Sequence, residues 1–357
     1  MTQSQLSTQE RLHLLTKLAG LPMVMLCSLF TSLFKQKPLK RIIFDASVRY
    51  MTSGISIPQM QSFSEGGVAT FRQWSKQMRF EPHIEEIGKD ARLFWLGPKS
   101  ADQVVLYVPG GGFMAPVTDY MITFFDRIRQ ALMDKMHSKG VAVAILDYSL
   151  YPQTFPTQLV QLTRAIEYLF SLGIKPTNLQ LVGDSAGANL ILQLLSHTLH
   201  PVLEIPPSPL RVDGTGQIRG VCLISPWVAI NEASPSHFEN DPYDVVSSRS
   251  LLHWGSAYLA EVPGFLQHYV KVNGTPKNWF EGIDKVVTRI LITVGGNEVL
   301  RDDGVRLNAM LAKAHPEVRI DVQAGGVHDD PILDSGAKIE SLSYVAQLMI
   351  AWFAAEH

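Results

Sequence analysis

Leu179-Gln180-Leu181-Val182-Gly183-Asp184-Ser185-Ala186-Gly187-Ala188-Asn189-Leu190-Ile191-Leu192-Gln193-Leu194-Leu195 is the stretch on which the fold turns. Residues 179–182 form a short apolar run with the character of a strand. Residues 189–195 carry an apolar helical pattern. Between them lies G-x-S-x-G, and strand, glycine-flanked serine, then helix is the context that a nucleophile elbow requires. The turn is sharp, so it predicts a strained backbone at Ser185. Glycines at 183 and 187 let strand and helix approach closely. The serine hydroxyl is then held at the end of a strand, over the positive end of a helix.

Three further segments stand in order around this serine. Upstream, the apolar run Val104–Val108 leads into Pro109-Gly110-Gly111-Gly112-Phe113. Glycines after a strand allow backbone N–H groups to turn inward, so Gly110, Gly111 and Gly112, with Ala186, are candidate donors to the oxyanion of a tetrahedral intermediate. Downstream, Ile290–Val294 is followed by Gly295-Gly296-Asn297-Glu298-Val299-Leu300-Arg301-Asp302-Asp303. Glu298 lies just past a strand end and is the candidate acid. Asp302 is the competing acid, although Asp302 and Asp303 also suit the cap of a helix starting there. Last, Gly325-Gly326-Val327-His328 follows the strand-like Arg319–Val322. A serine hydroxyl is a poor nucleophile, so an imidazole must take its proton, and an acid must fix the tautomer of that imidazole. Ser185, Glu298 and His328 supply these three groups. Asp329 and Asp330 read as loop residues.

The chain is 357 residues long, 46% hydrophobic, and carries a formal charge of −2. That is ample for a core, and it gives none of the basic surplus that nucleic-acid binding demands. No spacing typical of a metal site is present and no cofactor is called for. Cys27 and Cys222 are the two cysteines; Cys222 lies in an apolar strand, and a disulfide between the two is not expected. Strand-like runs fall near 83–96, 103–108, 141–146, 179–183, 218–224, 289–295 and 318–323. Helical patterns fall near 119–138, 157–172, 186–199, 303–314 and 337–355. This alternation predicts an α/β fold with a mostly parallel central sheet covered on both faces and an antiparallel first edge. Residues 231–280 interrupt the alternation and carry Trp254, Tyr258, Phe265, Tyr269 and Trp279, as a pocket-forming insertion would. Asn273-Gly274-Thr275 fits a glycosylation sequon.

These residues resemble the hormone-sensitive-lipase group of α/β-hydrolases, and within it the fungal esterase and steryl acetyl hydrolase-like branch. The likeness runs from about residue 82 to the C-terminus. It rests on Pro-Gly-Gly-Gly-Phe, on Asp147-Tyr148-Ser149-Leu150-Tyr151-Pro152, on Gly-Asp-Ser-Ala-Gly, on Ser225-Pro226-Trp227 and on Glu298–Asp303. It implies an α/β-hydrolase catalytic domain over 81–357, an N-terminal cap over 1–80, and Glu298 as the acid. It also implies a serine esterase acting on short-acyl esters, such as acetates, of hydrophobic alcohols. One position departs from the group: Pro109 stands where a histidine usually precedes the glycines. Acyl transfer or other non-hydrolytic biosynthetic chemistry with the same serine is the alternative function, followed by ligand binding on a disarmed scaffold.

Residues 18–34 carry no charge, and Lys17 and Lys35 bracket them. Seventeen such residues reach the lower limit for spanning a bilayer. Two readings stand side by side. In one the segment associates with an endoplasmic-reticulum-like membrane, its flanking lysines snorkel, and the catalytic part faces the cytosol. In the other it is a soluble cap helix, with Pro22 near its start, in a cytoplasmic protein. The expected partner is a lipophilic small-molecule ester.

Overall fold

The computed structural model describes residues 6–31, 37–137 and 140–355. Four helices come first: α1 (Thr8–Thr31), α2 (Leu39–Thr52), α3 (Ile57–Gln61) and α4 (Gly67–Gln77). Then follow β1 (His83–Gly88), β2 (Ala91–Leu96), β3 (Gln103–Val108), α5 (Asp119–Met136), β4 (Val141–Asp147), α6 (Thr157–Ser171), β5 (Leu179–Asp184) and α7 (Ser185–Leu199). After β6 (Gly220–Ile224) come α8 (Pro235–Glu239), α9 (Ser248–Ala260) and α10 (Gln267–Val270). The chain closes with β7 (Ile290–Gly295), α11 (Arg301–Leu311), β8 (Val318–Gln323), α12 (Asp330–Gly336) and α13 (Tyr344–Ala354).

The eight strands form one sheet in the order β1-β2-β4-β3-β5-β6-β7-β8. β1 with β2 and β2 with β4 are antiparallel, and every later pairing is parallel. The single run expected at 83–96 is a hairpin. Lys89 and Asp90 both take positive φ, 57° and 59°, which is the turn that matches the twist of two flanking strands. Side chains alternate across the pleat. Leu93, Leu106, Leu181, Leu223 and Ile292 join the cluster under α6 and α7, whereas Phe94, Val105, Val182, Cys222 and Leu291 join the cluster under α5 and α13. The central strands read as unbroken apolar runs because both faces are covered.

Three expectations about helices need correction. The pattern at 337–355 is helical only over α13, from Tyr344, and α12 ends just before it at Gly336. Lys338 has φ 55°, which stops α12, and the Ser343 hydroxyl restarts the chain by accepting the N–H of Ala346 at 3.3 Å. The N-terminal helix begins at Thr8, ten residues before the uncharged run. Ser7 and Glu10 form a capping box there: the Ser7 hydroxyl accepts from the Glu10 N–H at 3.3 Å and the Glu10 carboxylate accepts from the Ser7 N–H at 3.0 Å. Pro22 therefore sits inside the helix, not near its start.

Lys17 does not snorkel in this structure; its ammonium donates to the carbonyl of Tyr50 at 2.6 Å and lies over the Tyr50 ring. Leu14, Lys17, Gly20, Leu21, Val24 and Ser28 make the face of α1 turned toward the protein, and Gly20 meets the Tyr50 hydroxyl. Lys35 and residues 32–34 lie outside the described residues. Asn273 is buried, and its amide donates to the carbonyl of Asp303 at 3.2 Å, so the folded chain offers no acceptor at this sequon. Both cysteines are free.

Candidate active site

The elbow forms as its sequence demands. Ser185 takes φ +48°, in the left-handed region that non-glycine residues seldom visit. A Cβ on Gly187 would lie 1.9 Å from the carbonyl oxygen of Val108, and one on Gly183 would lie 2.6 Å from the backbone of Gly187. Only glycine permits this crossing of β3, β5 and α7. Ser185 and His328 line the same cavity of about 550 Å³, whose walls include Met51, Phe63, Trp74, Val117, Leu251 and Trp254. Ligand pockets of this size and apolar character take drug-sized molecules.

Glu298 and His328 come together from the loops after β7 and β8. The Nδ1 of His328 lies 2.9 Å from Oε1 of Glu298. The other carboxylate oxygen, Oε2, accepts from the Ser225 hydroxyl at 2.8 Å and from the Gly295 N–H at 2.7 Å. Asp302, the competing acid, accepts instead from the Ser236 N–H at 3.0 Å and pairs with Arg301.

Sequence reasoning missed Asp244. This buried carboxylate accepts from the N–H of His328 at 2.8 Å and of Val299 at 2.7 Å, so it ties together the two loops that carry the acid and the histidine. Burial raises its pKa to about 6, against the lowering pull of His328. No local pattern marks Asp244, because its partners lie 55 and 84 residues away.

The glycine loop is held without a preceding histidine. The Tyr148 hydroxyl donates to the carbonyl of Pro109 at 2.6 Å, and the Gly110 N–H donates to Oδ1 of Asp184 at 2.9 Å. That second bond commits the N–H of Gly110 and removes it from the candidate oxyanion donors. Gly111 and Gly112 have φ of 105° and 63° and line the cavity. Among the described residues, no hydrogen bond uses the N–H of Gly111, Gly112 or Ala186.

Among the described residues, no hydrogen bond joins the second nitrogen of His328 to Ser185. Nε2 lies 3.3 Å from Oδ2 of Asp329, a residue at φ +54° that sequence alone marked only as loop. Burial lowers the histidine pKa, but Asp329 and Glu298 outweigh it, and the pKa is pushed up to about 10. Burial drives the pKa of Asp329 upward in turn.

Farther out, Arg41 on α2 is buried against three carboxylates: Asp45 at 2.6 Å, Asp330 at 2.8 Å and Asp334 at 2.7 Å. Asp330 also accepts the N–H of Val327 at 3.2 Å. The N-terminal helices are thereby fastened to the loop that carries His328. Among the described residues, no group of three or more His, Cys, Asp or Glu is placed to hold a metal ion.

The sequence model of a family described as steryl acetyl hydrolase matches residues 83–350. The Schizosaccharomyces pombe protein mug81 is 24% identical over 321 residues, covering 83% of this chain and 81% of its own length. Steryl acetyl hydrolase 1 of Saccharomyces cerevisiae is 23% identical over 281 residues, covering 70% of this chain and 60% of that protein. Among solved structures, an esterase of the bacterial hormone-sensitive lipase family matches with a TM-score of 0.63 at 19% identity, covering 89% of this chain and 97% of that one. Carboxyl esterase 2 from Tuber melanosporum matches with a TM-score of 0.60 at 18% identity, covering 77% of this chain and 86% of that one. At such identities these structures establish the α/β-hydrolase fold.

Proposed function

The chain belongs to the steryl acetyl hydrolase family of ester hydrolases, and from that premise we propose that it cleaves short-acyl esters, acetates first, of a hydrophobic alcohol of sterol-like size through Ser185, His328 and Glu298. The observation that carries this reading is the 2.9 Å contact from Glu298 to Nδ1 of His328, with His328 and Ser185 on one apolar cavity. In the reaction, Oγ of Ser185 attacks the ester carbonyl while its proton passes to Nε2 of His328. Glu298 keeps the other imidazole proton on Nδ1 and stabilises the cation. The carbonyl oxygen becomes an oxyanion and accepts from the N–H groups of Gly111, Gly112 and Ala186. Each such donor is worth about 3–4 kcal/mol at the transition state. The alcohol leaves with the proton from Nε2, and water then cleaves the acyl-enzyme by the same path reversed.

The test is hydrolysis of p-nitrophenyl esters from C2 to C12, and of a steryl acetate, by the full chain and by Ser185→Ala. A preference for C2 and loss of turnover in the variant support the reading. Equal rates for the two proteins overturn it. A competing alcohol in the same assay separates hydrolysis from acyl transfer by the identity of the product.

In the same reading, residues 1–80 act as a cap over a catalytic domain at 81–357, and α1 works at a membrane surface. Thr8–Phe30 is long and apolar enough to cross a bilayer, with only 6% of its most apolar window buried. Deleting residues 1–36 is expected to move the protein from membrane pellets to the supernatant; unchanged pelleting would sink the membrane assignment.

A further inference from the structure

The loops that carry Glu298 and His328 are joined through backbone at their bases: the Gly296 N–H donates to the carbonyl of Gln323 and the Asn297 N–H to that of Gly326, each at 2.8 Å. At the two triad members themselves the link is a side chain from elsewhere. Oδ1 of Asp244 accepts from the N–H of His328 at 2.8 Å and of Val245 at 2.7 Å. Oδ2 accepts at 2.7 Å from the N–H of Val299, the residue after Glu298. A carboxylate accepts at both oxygens, whereas an amide of the same shape accepts at one end and donates at the other. Asn240, four residues earlier, holds the other side of the acid. Its amide donates to the carbonyl of Glu298 at 2.8 Å and to that of Gly296 at 3.3 Å.

This segment, between α8 and α9, is gripped in turn from α2. Arg49 donates to the carbonyl of Asp244 at 2.8 Å and pairs with Asp241 at 3.0 Å. Asp241 also accepts from the N–H of Ser248 at 2.7 Å, which closes the segment into a braced turn.

We propose, building on the serine-esterase reading, that Asp244 is a positioning residue that sets the spacing between the acid and the histidine by holding backbone N–H groups of both loops, and that Arg49 of α2 holds Asp244 in turn. What this spacing maintains is the 2.9 Å contact from Nδ1 of His328 to Glu298. Asp244 is buried, and the cavity is lined by its neighbours Val245 and Val246 instead. It therefore acts on substrate only through the histidine and the acid. Misplacing a catalytic group by about 1 Å costs roughly 10²-fold in rate. Substrate binding does not depend on that spacing, so the loss falls on kcat and not on KM. Helix α2 thus serves the site twice: Ser47, Val48 and Met51 wall the cavity, and Arg49 braces the triad.

The test compares the full chain with Asp244→Asn, Arg49→Met and Asp126→Asn. Asp126 is the control, a buried carboxylate on α5 whose partners Arg129 and Gln130 lie on its own helix. Turnover of p-nitrophenyl acetate gives kcat and KM. The far-downfield proton NMR signal of His328 Nδ1–H reports its bond to Glu298 and needs no turnover. Asp244→Asn should lower kcat roughly 10²-fold with KM little changed, and should displace or abolish the signal. Arg49→Met keeps the carboxylate but loosens its hold, so it should act in the same sense and by less. Asp126→Asn should lower thermal stability and leave kcat and the signal in place. Parental kcat in Asp244→Asn overturns the proposal. So does a fall in kcat with the signal unmoved, or an equal displacement of the signal in Asp126→Asn, since each would mean a structural role only. Should Asp244→Asn fail to fold, Arg49→Met is the deciding variant, and parental kcat and signal there overturn the proposal. A parent chain without ester turnover, whose signal still moves in Asp244→Asn, would reject the esterase reading and leave the positioning role standing.

Discussion

Helices α1 and α7 are both rich in Leu, yet they sit in opposite surroundings. Every residue of α7 from Ser185 to Thr198 is buried between β5, β6 and the helices beside it. Among the described residues of α1, Ser28 alone is buried, and Leu12, Leu15, Leu18, Met23, Met25, Leu26, Leu29 and Phe30 are exposed. Composition therefore does not separate an interior helix from an exterior one. Register and polar anchors do. Asn189 and Gln193, polar residues inside α7, are tied to backbone and to each other: Asn189 donates to the carbonyls of Trp227 and Val270 at 2.8 Å each, and Gln193 to Asn189 at 2.7 Å. Burying them unpaired would cost several kcal/mol. The polar anchors of α1, Lys17 on the Tyr50 carbonyl and Glu10 accepting from the Ser56 hydroxyl at 2.6 Å, hold one face and leave the other exposed.

The contrast can be broken most forcefully at Ser185. Ser185→Ala is expected to lower kcat by roughly 10⁴–10⁶-fold with little change in stability, measured by ester turnover beside thermal unfolding. Next comes the joint between the two regions. Arg41→Met leaves the half-buried Asp334 without its cation and Asp45 and Asp330 with Lys37 alone, and should cost up to about 3–5 kcal/mol, seen as a fall in the denaturant midpoint. If stability holds but turnover drops, α2 matters to His328 alone. Leu190→Ala, in the packed interior of α7, should cost about 2–5 kcal/mol by the same measurement. Leu26→Ala on α1 should change stability by no more than about 0.5 kcal/mol, while weakening partition into vesicles. A Leu26→Ala cost equal to that of Leu190→Ala would mean that α1 is packed against something in solution.

Much of this architecture was legible from the chain. Gly183, Ser185 and Gly187 announce the elbow because a strand and a helix can cross there only over glycines. Glu298 and His328 are legible because each follows a strand-like run, so that a parallel sheet must bring their loops to one edge. The groups that steer them were not legible, and the reason is distance. Asp244 reads as one acid among several in a loop, Arg41 as an ordinary surface cation, and Asp329 as a loop residue beside the histidine. Each acts through partners that local pattern does not name. The extent of α1 was misjudged for a different reason: the hydrophobic run drew the boundary, and the Ser7–Glu10 capping box that starts the helix is polar. Gly110 was grouped with its neighbours, and only the position of Asp184 distinguishes it.

The distribution of sulfur has a practical consequence. The sequence holds two cysteines. Cys222 is sealed in β6, where burial pushes its thiol pKa far upward, while Cys27 is exposed on α1. The thiolate is the reactive form, so a maleimide reagent should modify the folded protein at Cys27 alone. The chain thus carries a single native attachment point for a fluorophore or spin label, on the very helix whose surroundings are in question. An environment-sensitive dye at that position would report, by the colour of its emission, whether α1 rests in water or in lipid.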